Sequence, residues 1–132
     1  MAATYSLHTT DYLEDKILDH TLGIASYTMP SGLYHAAYTS ATTDAGGGTE
    51  VSGAGYARKP LTFSGAGTGT SRSNVGTFYT GNMPACTITH FAIKDAVTGG
   101  NMLYHKAEPS PIVVDAGDIF AVANARIEVW MV

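Results

Sequence analysis

The chain has 132 residues, enough for one domain with its own core, so folding requires neither disulfides nor a structural metal. Charged residues make up only 14% and the net charge is −4, against roughly 25% charged in an average soluble domain. This excludes the dense basic stripe of a nucleic-acid binder, and the single cysteine, Cys86, excludes an internal disulfide and reads as a small apolar residue.

The opening stretch MAATYSLHTTDY has no basic region followed by an apolar run, so no signal peptide is expected. No run approaches eighteen apolar residues, so no membrane span is expected and synthesis in the cytoplasm follows. Residues 11–22 are predicted helical. Asp11 and Glu14 have capping-box spacing, and Thr9 and Thr10 are alternative N-caps. Leu13, Ile17, Leu18 and Leu22 supply an apolar stripe, and Gly23 is the natural residue after the C-cap. The stripe is expected to cap one end of a β core, or alternatively to dock on a neighbouring subunit.

From Leu33 the pattern changes to period two. Leu33–Ser40 alternates Leu33, His35, Ala37 and Thr39 against Tyr34, Ala36 and Tyr38. Thr42–Gly55 is a glycine-rich loop, and Tyr56–Phe63 is the next expected strand, with Pro60 marking an edge or bulge. No helix signature follows the glycines and no Gly-Lys-Ser/Thr is present, so the loop is not a phosphate cradle. Ser64–Asn74 reads as a second loop and Val75–Thr80 as a short strand. Thr87–Lys94 alternates Thr89, Phe91 and Ile93 against Ile88, His90 and Ala92. Thr98-Gly99-Gly100-Asn101 has hairpin-turn chemistry leading to Met102–Ala107. Ile112–Val114 is a separate strand after Pro109 and Pro111. Ile119–Ala123 and Arg126–Val132 close the fold as a final pair, with Ile127, Val129 and Met131 facing the core. The strand pairs lack βαβ alternation. The expected fold is mainly β: one antiparallel β-sandwich or barrel, jelly-roll-like, over residues 1–132 with one N-terminal helix.

Chemistry is sparse. His8, His20, His35, His90 and His105 show no HExxH spacing and no cysteine partners. His90 and His105 could face each other across a hairpin, most simply as a structural pair. Asp115 and Asp118 flank a tight turn, where Asp bonds its own backbone. Neither Ser31 nor Ser52 lies in Gly-x-Ser-x-Gly. No catalytic, metal or cofactor residue is assigned. Eight tyrosines and one tryptophan, Trp130, suit cores and interfaces more than a sugar groove. Charge is uneven: no acid lies between Glu50 and Asp95, where Arg58, Lys59, Arg72 and Lys94 stand, while Asp11, Glu14, Asp15 and Asp19 cluster early. That asymmetry fits contact between subunits.

The blocks YLEDKILDH (12–20), YHAAYTS (34–40), TDAG (43–46), EVSG (50–53), GYAR (55–58), THFAI (89–93) and GGNMLYH (99–105) resemble, in this order, a family of small tailed-bacteriophage proteins labelled tail fibre proteins. The final segment, with Trp130, departs from the family's aliphatic or glycine-rich ending. The resemblance implies a non-enzymatic virion structural protein without cofactors. Lacking heptads or other shaft repeats, the chain is expected to be a capsid decoration (cement) protein. It would bind the outer surface of the major capsid protein and copies of itself, as a trimer or dimer, without contacting nucleic acid or membrane. The alternative is a tail-fibre or tail-tip module, structural or receptor-binding. The expected protein interface comprises Gly46, Gly47, Gly48, Glu50, Arg58, Lys59 and Arg72.

Overall fold

The computed structural model describes residues 7–64 and 71–130, the last by its backbone alone. The elements in chain order are β1 (His8–Thr9), α1 (Asp11–Thr21), β2 (Leu33–Tyr38), β3 (Lys59–Leu61), β4 (Ser71–Ser73), β5 (Phe78–Thr80), β6 (Cys86–Lys94), β7 (Met102–Val114), β8 (Phe120–Val122) and β9 (Glu128–Trp130). Five strands form one antiparallel sheet in the order β1-β7-β6-β2-β3. Two small antiparallel ladders, β4 with β9 and β5 with β8, complete the sheet structure of the described residues. The mainly-β antiparallel expectation is met by a sandwich-like arrangement, and the described strands close no barrel.

The core follows from strand alternation. Ala37, Leu61, Ile88, Phe91, Ile93 and Val114 from the main sheet meet Phe120, Val122 and Ile127 from the ladder side. Ala36, Tyr38, Ala92 and Met102 form a second cluster, and Ala36 must lie on the opposite sheet face from Ala37 because successive side chains alternate. Small residues at these two positions let β2 run through the centre with both faces covered. Asn74 ties the ladders together: its Oδ1 accepts the Ile127 N–H at 2.7 Å and its Nδ2 donates to the Ala123 carbonyl at 3.0 Å.

Several sequence expectations change. Met102–Ala107 and Ile112–Val114 are one strand, β7, because its register against β6 shifts between Ile88↔Ile112 and His90↔Ala107. Four residues of β7, Glu108 to Pro111, oppose the single Thr89. Pro109 and Pro111 therefore fall where the ladder is already interrupted, which is where a residue without an N–H is tolerated. The same irregularity brings Ile88 into the core with Phe91 and Ile93, although simple alternation placed it opposite them. The two last strands are not partners: β8 pairs with β5 and β9 with β4. Strand Tyr56–Phe63 contracts to Lys59–Leu61, since Tyr56 and Arg58 are drawn off the ladder by side-chain bonds. Residues 71–73, read as loop, pair with β9. The expected core placement of Met131 lies outside the described residues.

The helix forms where expected, but its cap is Thr10 rather than the Asp11/Glu14 box. The Thr10 hydroxyl accepts the Leu13 N–H at 3.3 Å and donates to the Met102 carbonyl at 2.6 Å, so one side chain both caps α1 and fastens it to β7. Only Leu13 of the helix is buried. Leu18 and Leu22, placed in the same stripe by sequence, point away from it.

Candidate functional site

The residues expected at an interface gather around the long connection from β2 to β3. After Tyr38 the chain leaves the sheet and returns antiparallel to itself. Thr39 N–H donates to the Thr49 carbonyl at 2.8 Å, Thr49 N–H to Ser40 Oγ at 2.8 Å, and Val51 N–H to the Ala37 carbonyl at 2.9 Å. Gly46, Gly47 and Gly48 therefore sit at a hairpin-like tip, with Gly46 and Gly48 exposed. The tip is also held from the sheet side. His105 on β7 bonds Thr42 Oγ1 through Nδ1 and Asp44 Oδ1 through Nε2, both at 2.8 Å. A neutral ring protonated at Nε2 satisfies both partners, donating to the carboxylate and accepting from the hydroxyl.

Glu50 and Arg58 meet behind the tip. Arg58 Nε and Nη2 donate to the two Glu50 oxygens at 2.8 Å each, and Nη1 donates to the carbonyls of Ala96 and Gly99 at 2.7 and 2.8 Å. Tyr56 OH donates to Glu50 Oε2 at 2.7 Å and accepts the Ala37 N–H at 3.0 Å. The Arg58 side chain is only 7% exposed, so its charge is directed inward at the turn joining β6 to β7. Burial alone would raise the Glu50 pKa, but hydrogen bonds from Arg58 and Tyr56 and the charges of Arg58 and Lys94 hold it below the usual carboxylate value. Lys59 lies on the edge strand β3, half-buried. Arg72 is separate, on β4, at the rim of an apolar groove. The structure thus unites Gly46–Gly48, Glu50 and Arg58 and sets Arg72 apart.

Two histidine environments were not legible in sequence. His8 is opposite His105 in register, with ring centroids 5.4 Å apart, while His90 is a diagonal neighbour because its partner is Ala107. His90 and His105 therefore do not face each other directly. Among the described residues no group of three His, Cys, Asp or Glu side chains has the spacing to hold a metal. His35 is buried, stacked on Phe91 at 5.6 Å and tilted against Phe78 and Phe120. Burial pulls its pKa from 6.5 to about 4, with Glu50 opposing. Alternation put His35 on one face of β2, but nothing in sequence placed the phenylalanines around it.

A pH dependence follows. The unfolded chain takes up a proton on His35 near pH 6.5 while the native ring stays neutral down to about pH 4. Stability from this group is therefore present above pH 6.5 and falls between pH 6.5 and 4, by about 3 kcal/mol in all. Denaturant midpoints measured across that window should decline in the wild type and decline less in His35→Leu. His90, pulled down by burial and by His105, acts in the same direction, and Glu108, pushed up by burial, opposes it. The difference between wild type and variant isolates His35, and parallel profiles would remove the assignment.

The best-connected charged side chains of this β-rich fold, Glu50 and Arg58, bind the protein's own loops. Residues 8–129 match the model of the family described as Podophage GP4 fiber I protein gp80, and the chain belongs to that family. It is a phage virion protein of the fibre type. No curated protein matches the chain, and no described helix is long and apolar enough to cross a membrane.

Proposed function

We infer that the protein is a non-enzymatic structural component of a podophage fibre, attached at the tail. Family membership across residues 8–129 carries this reading. It supports the tail-fibre alternative better than the capsid-decoration role expected from domain size and the lack of shaft repeats. The geometry gives the module a rigid contact edge: Gly46–Gly48 form an exposed tip, Glu50 and Arg58 brace it from behind, and Lys59 lies on the adjoining sheet edge. In this role the tip meets another virion protein or a host surface. Glu50 and Arg58 hold the shape while Lys59 supplies positive charge at the edge.

Labelling of the protein on intact virions, with a count of copies per particle, tests the assignment. Label confined to the tail, at a copy number set by tail symmetry, is the expected result. Label spread over the head at a copy number matching the capsid lattice would overturn it and restore the cement role.

A further inference from the structure

The helix presents an unusual outer surface. At 100° per residue, Asp11, Glu14, Asp15, Leu18, Asp19 and Leu22 fall on one side of α1, and Leu13, the buried residue, falls on the other. Leu18 is 56% exposed and Leu22 69%, and the chain continues past Gly23 with Ile24 at 71% and Met29 at 84%. Four large apolar residues within twelve positions thus stand in water, bordered by four carboxylates. Scattered single apolar residues are ordinary on a surface, but a run of this kind marks a contact.

A surface of opposite character lies elsewhere on the same chain. Leu33, Phe63, Arg72, Ile93, Tyr104 and Val129 line a groove of about 200 Å³ between the main sheet and the β4–β9 ladder. Its walls are apolar apart from the Tyr104 hydroxyl and the Arg72 guanidinium, and none of these residues is acidic. Lys59 is on β3, the strand paired with Leu33 through Leu61. The segment that supplies β3 and β4 is the acid-free stretch between Glu50 and Asp95. A volume of this order accommodates one or two branched aliphatic side chains; a cavity of roughly 150 Å³ holds benzene.

We propose that the acidic, leucine-bearing face of α1 in one copy docks into the Arg72-rimmed apolar groove of a second copy. Leu18 and Leu22 are the anchors in the groove, and Asp15 and Asp19 pair with Arg72 at its rim and with Lys59, two residues along β3 from Leu61. Knob and groove are different surfaces, so the contact is heterologous: repeated, it closes a ring or extends a filament, and it cannot stop at a two-fold dimer. The inference rests on charge and shape and is independent of where on the virion the protein resides.

The mass of the purified chain, measured by light scattering and sedimentation over a range of concentrations, provides the first test. An assembly larger than a dimer is expected, weakening with added salt because the rim pairs are screened. Leu18→Asp with Leu22→Asp should yield a monomer with unchanged circular dichroism, since both residues are already exposed. Arg72→Glu should weaken assembly at least tenfold, and Asp19→Lys in the same chain should restore it. The decisive arm mixes the knob variant with a groove variant, Val129→Lys. Each alone should be monomeric, and together they should form a one-to-one dimer that grows no further. A wild type that stays monomeric at high concentration, a knob variant that keeps the full mass, or a mixture that remains monomeric would each overturn the proposal.

Discussion

Replacing Arg58 with alanine is expected to cost about 3–5 kcal/mol of stability, the range for removing one partner of a buried ion pair. Four hydrogen bonds disappear with the guanidinium: two to Glu50 and one each to the Ala96 and Gly99 carbonyls. The Glu50 carboxylate then stays in a half-buried position with Tyr56 as its remaining side-chain donor. Arg58→Lys should recover little, because an ammonium lacks the fork that spans both carboxylate oxygens and two carbonyls on the far side. Glu50→Leu with Arg58→Met should recover much of the loss, since what costs most is a lone buried charge. Chemical denaturation measures all three variants. A loss under about 1 kcal/mol in Arg58→Ala, the range of an exposed pair, would show that the clamp is worth no more than a surface contact.

The same clamp has an acid signature. Because Glu50 is held below its ordinary carboxylate value in the native state, its contribution is fully present above that value. The contribution disappears as pH falls through the lower, native one. In Arg58→Ala only Tyr56 and Lys94 still oppose burial, so Glu50 should take up its proton at a higher pH than in the wild type. His35 acts in the window above, between pH 6.5 and about 4, so the two groups account for successive portions of the acid limb.

How much of this was readable beforehand depended on whether the cause was local. The turn at Thr98–Asn101 and the helix with Gly23 after it were legible because their signals are adjacent residues whose backbone preferences act on themselves. Strand β7 was divided in two because Pro109 and Pro111 read locally as breakers, whereas the register shift against β6 is a property of two strands together. The closing pair failed for the same reason. Ile119–Ala123 and Arg126–Val132 are neighbours in sequence, yet β8 and β9 find partners forty or more residues upstream. At the candidate site, the glycine-rich loop and the basic residues that follow it are legible as neighbours in sequence. The inward direction of Arg58 is not legible there, because its acceptors Ala96 and Gly99 lie about forty positions away. Likewise the apolar stripe on α1 was visible as a set of residues, but which of them would meet β7 depended on how Thr10 fastens the helix.

Replacing Gly55 with alanine is expected to destabilise the protein by about 4 kcal/mol or more, in the tail of single-substitution effects. Two causes combine. Gly55 has φ +92°, outside the region a side-chain-bearing residue enters cheaply; even the favourable left-handed region costs roughly 1–2 kcal/mol. In addition, a Cβ built there would stand 1.9 Å from the Asn82 carbonyl oxygen. The obstacle is backbone, not the end of a flexible side chain, so relief requires shifting the turn before Met83, a fully buried core residue. Asn82 itself occupies φ 52°, so both sides of the contact are already committed to special conformations. Gly46 supplies the control: it also has positive φ, +86°, but nothing lies within 4 Å of its would-be Cβ, so Gly46→Ala should incur the backbone cost alone, about 2 kcal/mol. Within the glycine-rich stretch, Gly46, where a side chain meets nothing, thus separates from Gly55, where it meets backbone; Gly48, with φ +113° and the Ala41 carbonyl oxygen 3.0 Å from its would-be Cβ, sides with Gly55. A variant at Gly46 that folds normally yet loses attachment to the virion would place the contact at the tip, whereas loss of attachment in Gly55→Ala would report only the collapse of its support. Equal melting temperatures for the two variants would refute the division.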